Sequence, residues 1–332
     1  MSRPSTMRAL VHSSAPGPDG LRVEQVARPE PGDDEVLIRV VAAGLNRHEL
    51  FAIAGHTGDD LKIVGADAVG TVVSTGYDAG QELGGCRAMV NPCLGWTDIE
   101  NVPEVPTILG GPVQGTFAEF VRIPASNVHQ VPPHLSDAEA AALPLAGLTA
   151  YRALVTKGKV RRGDHVVLTG ATGGAGTLAL AMAVALGAEV TVVTRHEAKA
   201  AEAISLGAAH VVVGVSDFDE RLHAPADLVL DSVGSDSFPT AVRSVRPGGK
   251  IVSFGATTGP DVTLSLRDLF FRQISLEGTS MGSAGEFAAM LGFVAEHSIT
   301  PTVHACRPLE EAPDAFRDME AGRGVGKTVF VL

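Results

Sequence analysis

Residues 165–176 read HVVLTGATGGAG, a β-branched run followed at once by a loop that contains four glycines. The apolar segment after the loop, from Thr177 to Gly187, has the composition of a buried helix. This order of strand, glycine loop and helix lets a backbone approach a pyrophosphate closely and aims the first helical amides at it. The spacing is GxxGGxG rather than GxGxxG, so the loop alone is also compatible with a tight turn that binds nothing.

The surrounding sequence repeats this alternation of strand and helix. Continuous apolar strands separated by helices of about ten residues predict a parallel sheet covered on both faces, which is a doubly wound α/β or Rossmann domain. Such a sheet binds its ligand at the carboxyl ends of the strands, where the glycines fall. The further predicted strands are Glu189–Thr194, His210–Gly214, Asp227–Gly234, Lys250–Gly255 and Ile274–Thr279.

The end of the second strand indicates which dinucleotide is bound. An NAD-selective domain usually carries Asp or Glu there, on the ribose 2′-hydroxyl. This chain has Thr194-Arg195-His196, with Lys199 a turn further on. The planar guanidinium of Arg195 suits a 2′-phosphate, so we expect NADPH. Two alternatives stay open: both cations are merely solvated surface groups, or Glu197 reaches the ribose of NADH.

The remainder of the chain has a different pattern. Residues 1–124 contain alternating strands such as EVLIRVVAA (35–43), separated by turn clusters such as PEPGDD (29–34). This predicts a β-rich domain built as a partly open barrel. Residues 282–332 are too few for a core of their own, so we expect them to complete that first domain. The nucleotide domain is then an insertion over residues 125–281.

Composition excludes several classes of function. The chain has 332 residues, of which 45% are hydrophobic, and a net charge of −12. This charge argues against nucleic acid or an anionic membrane as a partner. No apolar run is long enough for a transmembrane helix, and no signal-peptide pattern is present. Three cysteines make no disulfide framework, so we expect a protein of the reducing cytoplasm.

Taken together, the motifs resemble the medium-chain dehydrogenase/reductase superfamily over nearly the whole chain. They include PGDDEVLIRVVAAGLNRHEL, GTFAEFVRIP, AALPLAGLTAYRAL, GATGGAG, DLVLDSVG, GGKIVSFGATTG and GKTVFVL. The resemblance is greatest to zinc-independent quinone oxidoreductases, enoyl reductases and "zinc-type alcohol dehydrogenase-like" proteins. It implies a GroES-like catalytic domain, a Rossmann domain and a substrate bound in the cleft between them.

The resemblance also bears on metal binding. Zinc-dependent relatives use a Cys, a His and a further Cys or His, where this chain has Asn46, Ala66 and Leu145. None of the three is a good zinc ligand, and the four-cysteine structural lobe is missing as well. We therefore expect no metal. His48 and His56 can be imagined as replacement ligands, but isolated histidines are more often surface or core groups.

Without zinc, the chemistry that remains is hydride delivery to an already activated acceptor, a quinone or an α,β-unsaturated carbonyl. Asn46 is a candidate hydrogen-bond donor. The resemblance implies three further catalytic candidates: His48, at the place of a relay hydroxyl in zinc-dependent relatives, as a proton donor; Thr149, which matches a family residue close to the nicotinamide; and Asp67, which matches a family carboxylate and has a more structural role. The nucleotide site is expected to contain Thr172, Gly173, Gly174, Ala175, Gly176, Thr194, Arg195, Lys199, Ser232, Val233, Gly234, Phe254, Gly255, Ala256 and Lys327.

Two other functions stay open: a metal-free alcohol or ketone dehydrogenase, and an NADPH-binding sensor or structural protein with little turnover. The partner is otherwise a small-molecule substrate. ISLEGTSMG (274–282) is typical of an edge strand with Glu277 as its only charge. Because an exposed apolar edge pairs readily across a two-fold axis, we expect a homodimer formed through residues 265–281.

Overall fold

The computed structural model describes residues 5–13, 15–56, 58 and 60–332. The chain forms two compact units, residues 1–146 with 282–332, and residues 147–281. Residues 125–146, which sequence patterns assign to the nucleotide domain, group with the first unit. One reason is that Val128–Gln130 pairs with Arg87–Val90 in a sheet of that unit.

The first unit is β-rich, as expected. Its amino-terminal elements are β1 (Thr6–His12), β2 (Leu21–Ala27), β3 (Glu35–Gly44), α1 (Arg47–Ala54), β4 (Lys62–Ile63), β5 (Val69–Thr75), β6 (Arg87–Val90), β7 (Cys93–Leu94), β8 (Thr107–Ile108), β9 (Phe120–Pro124), β10 (Val128–Gln130) and α2 (Asp137–Ala141). Short 3₁₀ turns lie at Gly17–Gly20, Gln81–Leu83 and Ala125–Asn127. Helix α3 (Pro144–Tyr151) begins in this unit and continues into the second, where a π-helical stretch, Arg152–Gly158, follows it.

The second unit is the Rossmann domain. Its elements are β11 (His165–Thr169), α4 (Gly174–Ala185), β12 (Glu189–Thr194), α5 (Ala200–Ser205), β13 (His210–Val213), β14 (Ala226–Asp231), α6 (Phe238–Ser244), β15 (Val245–Ser253), α7 (Leu266–Arg272) and β16 (Ser275–Gly278). All neighbours are parallel in the order β13-β12-β11-β14-β15-β16. The doubly wound sheet is confirmed, and β16 lies at its edge.

One local expectation in this unit is wrong. The sequence predicts a strand over Lys250–Gly255, but β15 already begins at Val245, so Pro247-Gly248-Gly249 lies inside the strand. The pairing of β15 with β14 shifts register between Ala226 and Leu228, and this irregularity accommodates the three residues inside the strand.

The carboxyl-terminal segment returns to the first unit as α8 (Ala284–Glu296), β17 (Val303–Pro308), α9 (Ala312–Glu320) and β18 (Lys327–Val331). Strand β18 pairs antiparallel with β3, so that Val329 lies opposite Gly44. The larger sheet of this unit runs β10-β6-β5-β3-β18-β17, and β9 also pairs with β3. Phe330 on β18 packs edge-on against Phe117, with ring centroids 5.0 Å apart, in the unit's main core.

Sequence patterns missed β17 and α9. Strand β17 alternates half-buried and exposed residues and carries His304, Arg307 and Pro308, which weaken a strand pattern. In the part of the chain that the structure describes, no helix is long and apolar enough to cross a bilayer.

Candidate functional site

The residues expected to bind the nucleotide lie, apart from Lys327, at the carboxyl ends of four neighbouring strands of the Rossmann unit. The glycine loop follows β11, Thr194 ends β12 and Arg195 follows it. Residues 232–234 follow β14 and residues 254–256 follow β15. Since these strands are adjacent and parallel, the four loops meet at one edge of the sheet.

The glycines of the loop have different structural reasons. Gly170 has φ +64°, and a Cβ there would overlap Ser232 Oγ. A Cβ on Gly176 would lie 2.5 Å from Ala171 Cα, so this glycine lets α4 pack against the chain that leaves β11. Gly173 is different, because a Cβ there meets nothing nearer than Gly170 O at 3.7 Å. The space beside Gly173 is therefore free of other atoms of the described chain, and Gly173 also caps α4 without a side-chain oxygen.

The two cations beyond β12 lie close to this loop. Lys199 Nζ is 3.5 Å from Thr172 Oγ1. Burial lowers the pKa of Lys199, and the positive charge of Arg195 lowers it further. Two like charges held near each other beside a glycine loop suit an anionic ligand. Glu197 lies exposed in the 3₁₀ turn Glu197–Lys199.

A buried carboxylate that sequence reasoning missed organises the next loop. Asp231 is fully buried at the end of β14. It accepts hydrogen bonds from Thr169 Oγ1 at 2.6 Å, Ser237 Oγ at 2.5 Å and the Gly234 amide at 2.9 Å. These bonds tie the end of β11 to the loop after β14 and hold the loop backbone in one conformation.

The first unit contains a second group of candidate residues, a buried polar cluster of Asn46, Asp67 and Lys327. All three side chains are less than a tenth exposed. Lys327 Nζ lies 3.1 Å from Asp67 Oδ2 and also donates to Asn46 Oδ1. Asn46 Nδ2 donates to the same Asp67 oxygen at 2.9 Å. The structure thus places Lys327, expected on the nucleotide, among the residues expected for catalysis.

Asp67 is held from a third direction as well. Its Oδ1 accepts a hydrogen bond of 2.8 Å from the Leu145 amide. Each of its carboxylate oxygens is therefore engaged, which agrees with the structural role expected for this residue. The Lys327 ammonium has three N–H donors. Two of them donate to Asn46 Oδ1 and Asp67 Oδ2, and the described residues offer no acceptor for the third.

Glu49 is a further buried carboxyl group in the same unit that sequence reasoning missed. Its two oxygens accept from the Asn46 amide at 2.6 Å and the Ala66 amide at 3.0 Å. Burial raises the pKa of Glu49 to about 8, although the Lys327 ammonium opposes the shift. The signal was present in the sequence, because Asn46-x-x-Glu49 is a helix-capping spacing at the start of α1.

His48 lies on α1, two residues after Asn46 in the sequence. Burial lowers its pKa, against the opposing effect of a hydrogen bond with the Leu109 backbone. His48 Nε2 is buried and has no hydrogen-bond partner in the described chain. Its expected role as a proton donor stays a prediction.

Thr149, the remaining residue expected for catalysis, is buried on α3 and belongs to the other unit.

Two family models match the chain. The model described as alcohol dehydrogenase GroES-like domain matches residues 32–133, and the one described as zinc-binding dehydrogenase matches residues 174–296. The chain is 32% identical to the zinc-type alcohol dehydrogenase-like protein YogA of Leptosphaeria maculans, over 94% of each chain. It is 29% identical to the acryloyl-coenzyme A reductase of Sulfurisphaera tokodaii, over 97% of this chain and 99% of that one.

Solved structures of dehydrogenases and reductases are also similar to this chain over nearly its whole length. An NAD-dependent alcohol dehydrogenase superposes with a TM-score of 0.92 at 33% identity, over 98% of this chain and 100% of that chain. The crotonyl-CoA carboxylase/reductase AntE in complex with NADP superposes with a TM-score of 0.89 at 25% identity, over 99% of this chain and 95% of that chain.

Proposed function

The chain belongs to the medium-chain dehydrogenase/reductase superfamily, and from this premise we propose that it is an NADPH-dependent reductase of α,β-unsaturated carbonyl compounds or quinones. An oxidoreductase with a nicotinamide cofactor follows from the family. The finer proposal depends on one observation, the buried Lys327 ammonium with a third N–H donor left for a ligand.

Neither the residues at the positions of the relatives' zinc ligands nor those of the cluster of Asn46, Asp67 and Lys327 fit zinc. Ala66 has no ligand atom, and Leu145 contributes only an amide that already donates to Asp67. The oxygens of Asn46 and Asp67 that would ligate a metal both accept from Lys327. A cation is therefore already present, as an ammonium instead of a metal ion, and no step of the proposed reaction uses zinc.

Lys327 supplies the electrostatic stabilisation that the reaction needs. Reduced nicotinamide, when bound, supplies the hydride, which adds to the β-carbon of the substrate. Negative charge then develops on the carbonyl oxygen, and the third N–H of Lys327 donates to it. Asp67 pairs with the Lys327 ammonium, and Asn46 Oδ1 accepts a hydrogen bond from it. The resulting enolate takes its proton at the α-carbon from solvent.

The relatives support this choice of acceptor. One is named as an acryloyl-coenzyme A reductase and one solved structure as a crotonyl-CoA carboxylase/reductase, both of which are named for α,β-unsaturated thioesters. Such thioesters belong to the same chemical class as enones, because the carbonyl delocalises the charge that the hydride brings.

A metal-free alcohol dehydrogenase is the second candidate, and His48 is the observation that favours it. When neutral His48 carries its proton on Nδ1, its Nε2, which has no hydrogen-bond partner in the described chain, can take the proton of an alcohol as the hydride leaves. Comparing rates on matched enone and allylic alcohol pairs distinguishes the two reactions.

The test of the proposal is substitution of Lys327. Lys327→Met leaves Asp67 as a buried charge without its partner, so Lys327→Met/Asp67→Asn is made in parallel to preserve folding. Loss of one such donor is expected to lower kcat for enone and enoyl-thioester reduction by about 10²–10³-fold, with the nucleotide Kd unchanged.

Lys62→Met is the matched control, because Lys62 is a half-buried lysine of the same unit that lies outside the cluster. It is expected to retain wild-type activity. The proposal is wrong if both Lys327 variants fold, bind NADPH and reduce enones at the wild-type rate.

A further inference from the structure

Three side chains with metal-ligating atoms meet on the Rossmann unit, away from the residues discussed so far. Glu189, His210 and His223 each offer one such atom, and these atoms all lie within 4.8 Å of one another. His210 Nε2 is 2.8 Å and His223 Nε2 is 3.2 Å from the same oxygen, Glu189 Oε1. All three side chains are partly exposed to solvent.

The topology of the sheet brings these residues together. Glu189 is the first residue of β12 and His210 the first residue of β13, and these two strands are adjacent and parallel. His223 follows the 3₁₀ turn Phe218–Arg221, beyond β13. The cluster therefore lies at the amino ends of the strands, whereas the glycine loop follows the carboxyl end of β11.

A fourth histidine supports the cluster from the interior. His165, the first residue of β11, has its ring centroid 4.4 Å from that of His223. Its own nitrogens are already used, since Nε2 contacts Thr191 Oγ1 at 2.8 Å and Nδ1 lies 3.4 Å from Pro225 O. His165 therefore packs behind His223 and orients it without being a ligand.

From this geometry we propose that Glu189, His210 and His223 form a binding site for a divalent transition-metal ion of the Zn²⁺ or Co²⁺ type. Two imidazole nitrogens and one carboxylate oxygen are a ligand set that such ions accept. The two imidazole rings lie with centroids 4.2 Å apart and both direct Nε2 at one oxygen. One metal ion satisfies all three groups at once, whereas without it both rings must donate Nε2–H to the one carboxylate oxygen.

The surroundings leave room for a further ligand. His210 and His223 also line a cavity of about 380 Å³, together with Arg221 and Leu222. Three protein ligands and an open position are typical of zinc sites that retain water. Bound metal would also link the starts of β12 and β13 to the segment that contains His223, so we expect it to stabilise this unit against unfolding.

The experiment is a calorimetric titration of tag-free, chelator-treated full-length protein with Zn²⁺ alone. One Zn²⁺ per chain is expected, together with visible absorption from bound Co²⁺ and a rise in the unfolding temperature. In His210→Asn/His223→Asn, both side chains are partly exposed, so the fold is retained, and we expect the affinity to fall by at least an order of magnitude. His165→Asn is expected to weaken binding by about tenfold, as an orienting residue does.

His297→Asn serves as the control, because His297 is exposed on α8's carboxyl-terminal side, outside the cluster. It should bind Zn²⁺ as the wild type does. The proposal is overturned if wild-type protein takes up no stoichiometric Zn²⁺, or if the double variant binds with the wild-type affinity and the same rise in unfolding temperature.

Discussion

Glu49 and Asp67 are both fully buried, yet their neighbours differ at the scale of single residues. Asp67 has the Lys327 ammonium at 3.1 Å, whereas Glu49 accepts only from two backbone amides. A buried carboxyl without a cation of its own retains its proton, and the pKa of Glu49 is accordingly raised to about 8. This difference has a measurable consequence for stability.

We expect the free energy of unfolding to fall as the pH rises from about 4.5 to about 8 through the titration of Glu49. In this range the folded chain holds a proton that the unfolded chain has lost, so stability decreases by about 1.4 kcal/mol per pH unit from this group. Glu49→Gln removes the titration. Urea unfolding at several pH values should therefore give a flatter pH dependence for Glu49→Gln than for the wild type.

Glu139→Gln is the control for this experiment. The pKa of Glu139 is lowered by the Ser136 hydroxyl, so its stabilisation is lost only at acid pH. Removing this carboxyl group should leave the pH dependence of the free energy of unfolding between pH 5 and 8 unchanged. Equal slopes for wild type and Glu49→Gln would contradict the assignment of a raised pKa to Glu49.

Arg195 tests the choice of cofactor. A charge-assisted bond from its guanidinium to the 2′-phosphate is worth about 1.5–3 kcal/mol, or roughly tenfold to a hundredfold in affinity. Arg195→Ala is expected to lower kcat/KM for NADPH by this factor and to change kcat/KM for NADH little. Added salt should weaken NADPH more than NADH in the wild type, through screening.

The matched control is Arg161→Ala, since Arg161 is exposed and precedes β11, at the opposite end of the strands. An unchanged NADPH-to-NADH ratio in Arg195→Ala would identify Arg195 as a solvated surface charge and leave Glu197 as the candidate for the ribose.

At the scale of elements, two glycines in the turn from β11 into α4 are needed for different reasons, Gly176 for the packing of α4 and Gly173 for the expected ligand. Gly176→Ala places a methyl 2.5 Å from Ala171 Cα, so α4 must move away from the strand. We expect a loss of about 1–3 kcal/mol in the free energy of unfolding, as overpacking usually costs. Thermal or urea unfolding measures it without any ligand.

Gly173→Ala is the comparison, because its methyl meets no atom of this chain closer than 3.7 Å. Stability should stay within about 0.5–1 kcal/mol of wild type. The methyl instead occupies the space expected for the pyrophosphate, so the Kd for NADPH should rise at least tenfold. If Gly173→Ala binds NADPH normally, the nucleotide does not approach this position closely.

At the scale of the whole molecule, we propose that the chain forms a homodimer through the β16 edge and α7. Leu266, Phe270 and Phe271 on α7 are all more than half exposed, and Leu276 on β16 is 44% exposed. The single charge of the edge strand, Glu277, is engaged by Lys250 at 2.7 Å. An apolar edge whose one charge is already paired, with exposed aromatic side chains beside it, is unfavourable in water unless it is covered.

Phe271→Lys is expected to convert this dimer to a monomer, as measured by light scattering at micromolar concentration. Tyr77→Lys, at a side chain that is 87% exposed in the first unit, should have no effect on the mass. A monomeric wild-type protein at these concentrations would contradict the proposal.

The sequence alone was sufficient to predict the doubly wound sheet, the glycine loop, the cations after β12 and the edge position of β16. These features are local. Residues close together in the sequence determine strand and helix periodicity, turns and the charges within one βα unit. Gly176 is predicted for the nucleotide site, and the structure gives this glycine a packing reason, its close approach to Ala171.

The polar cluster could not be derived in the same way. Lys327 lies 281 residues from Asn46 and 260 from Asp67, and no local pattern relates them. They meet because β18 pairs antiparallel with β3, which places Val329 opposite Gly44. Glu189, His210 and His223 likewise meet through the order of parallel strands. Strand pairing over long separations depends on the packing of the whole core, which local periodicity does not encode, and so the folded chain alone shows which side chains share a site.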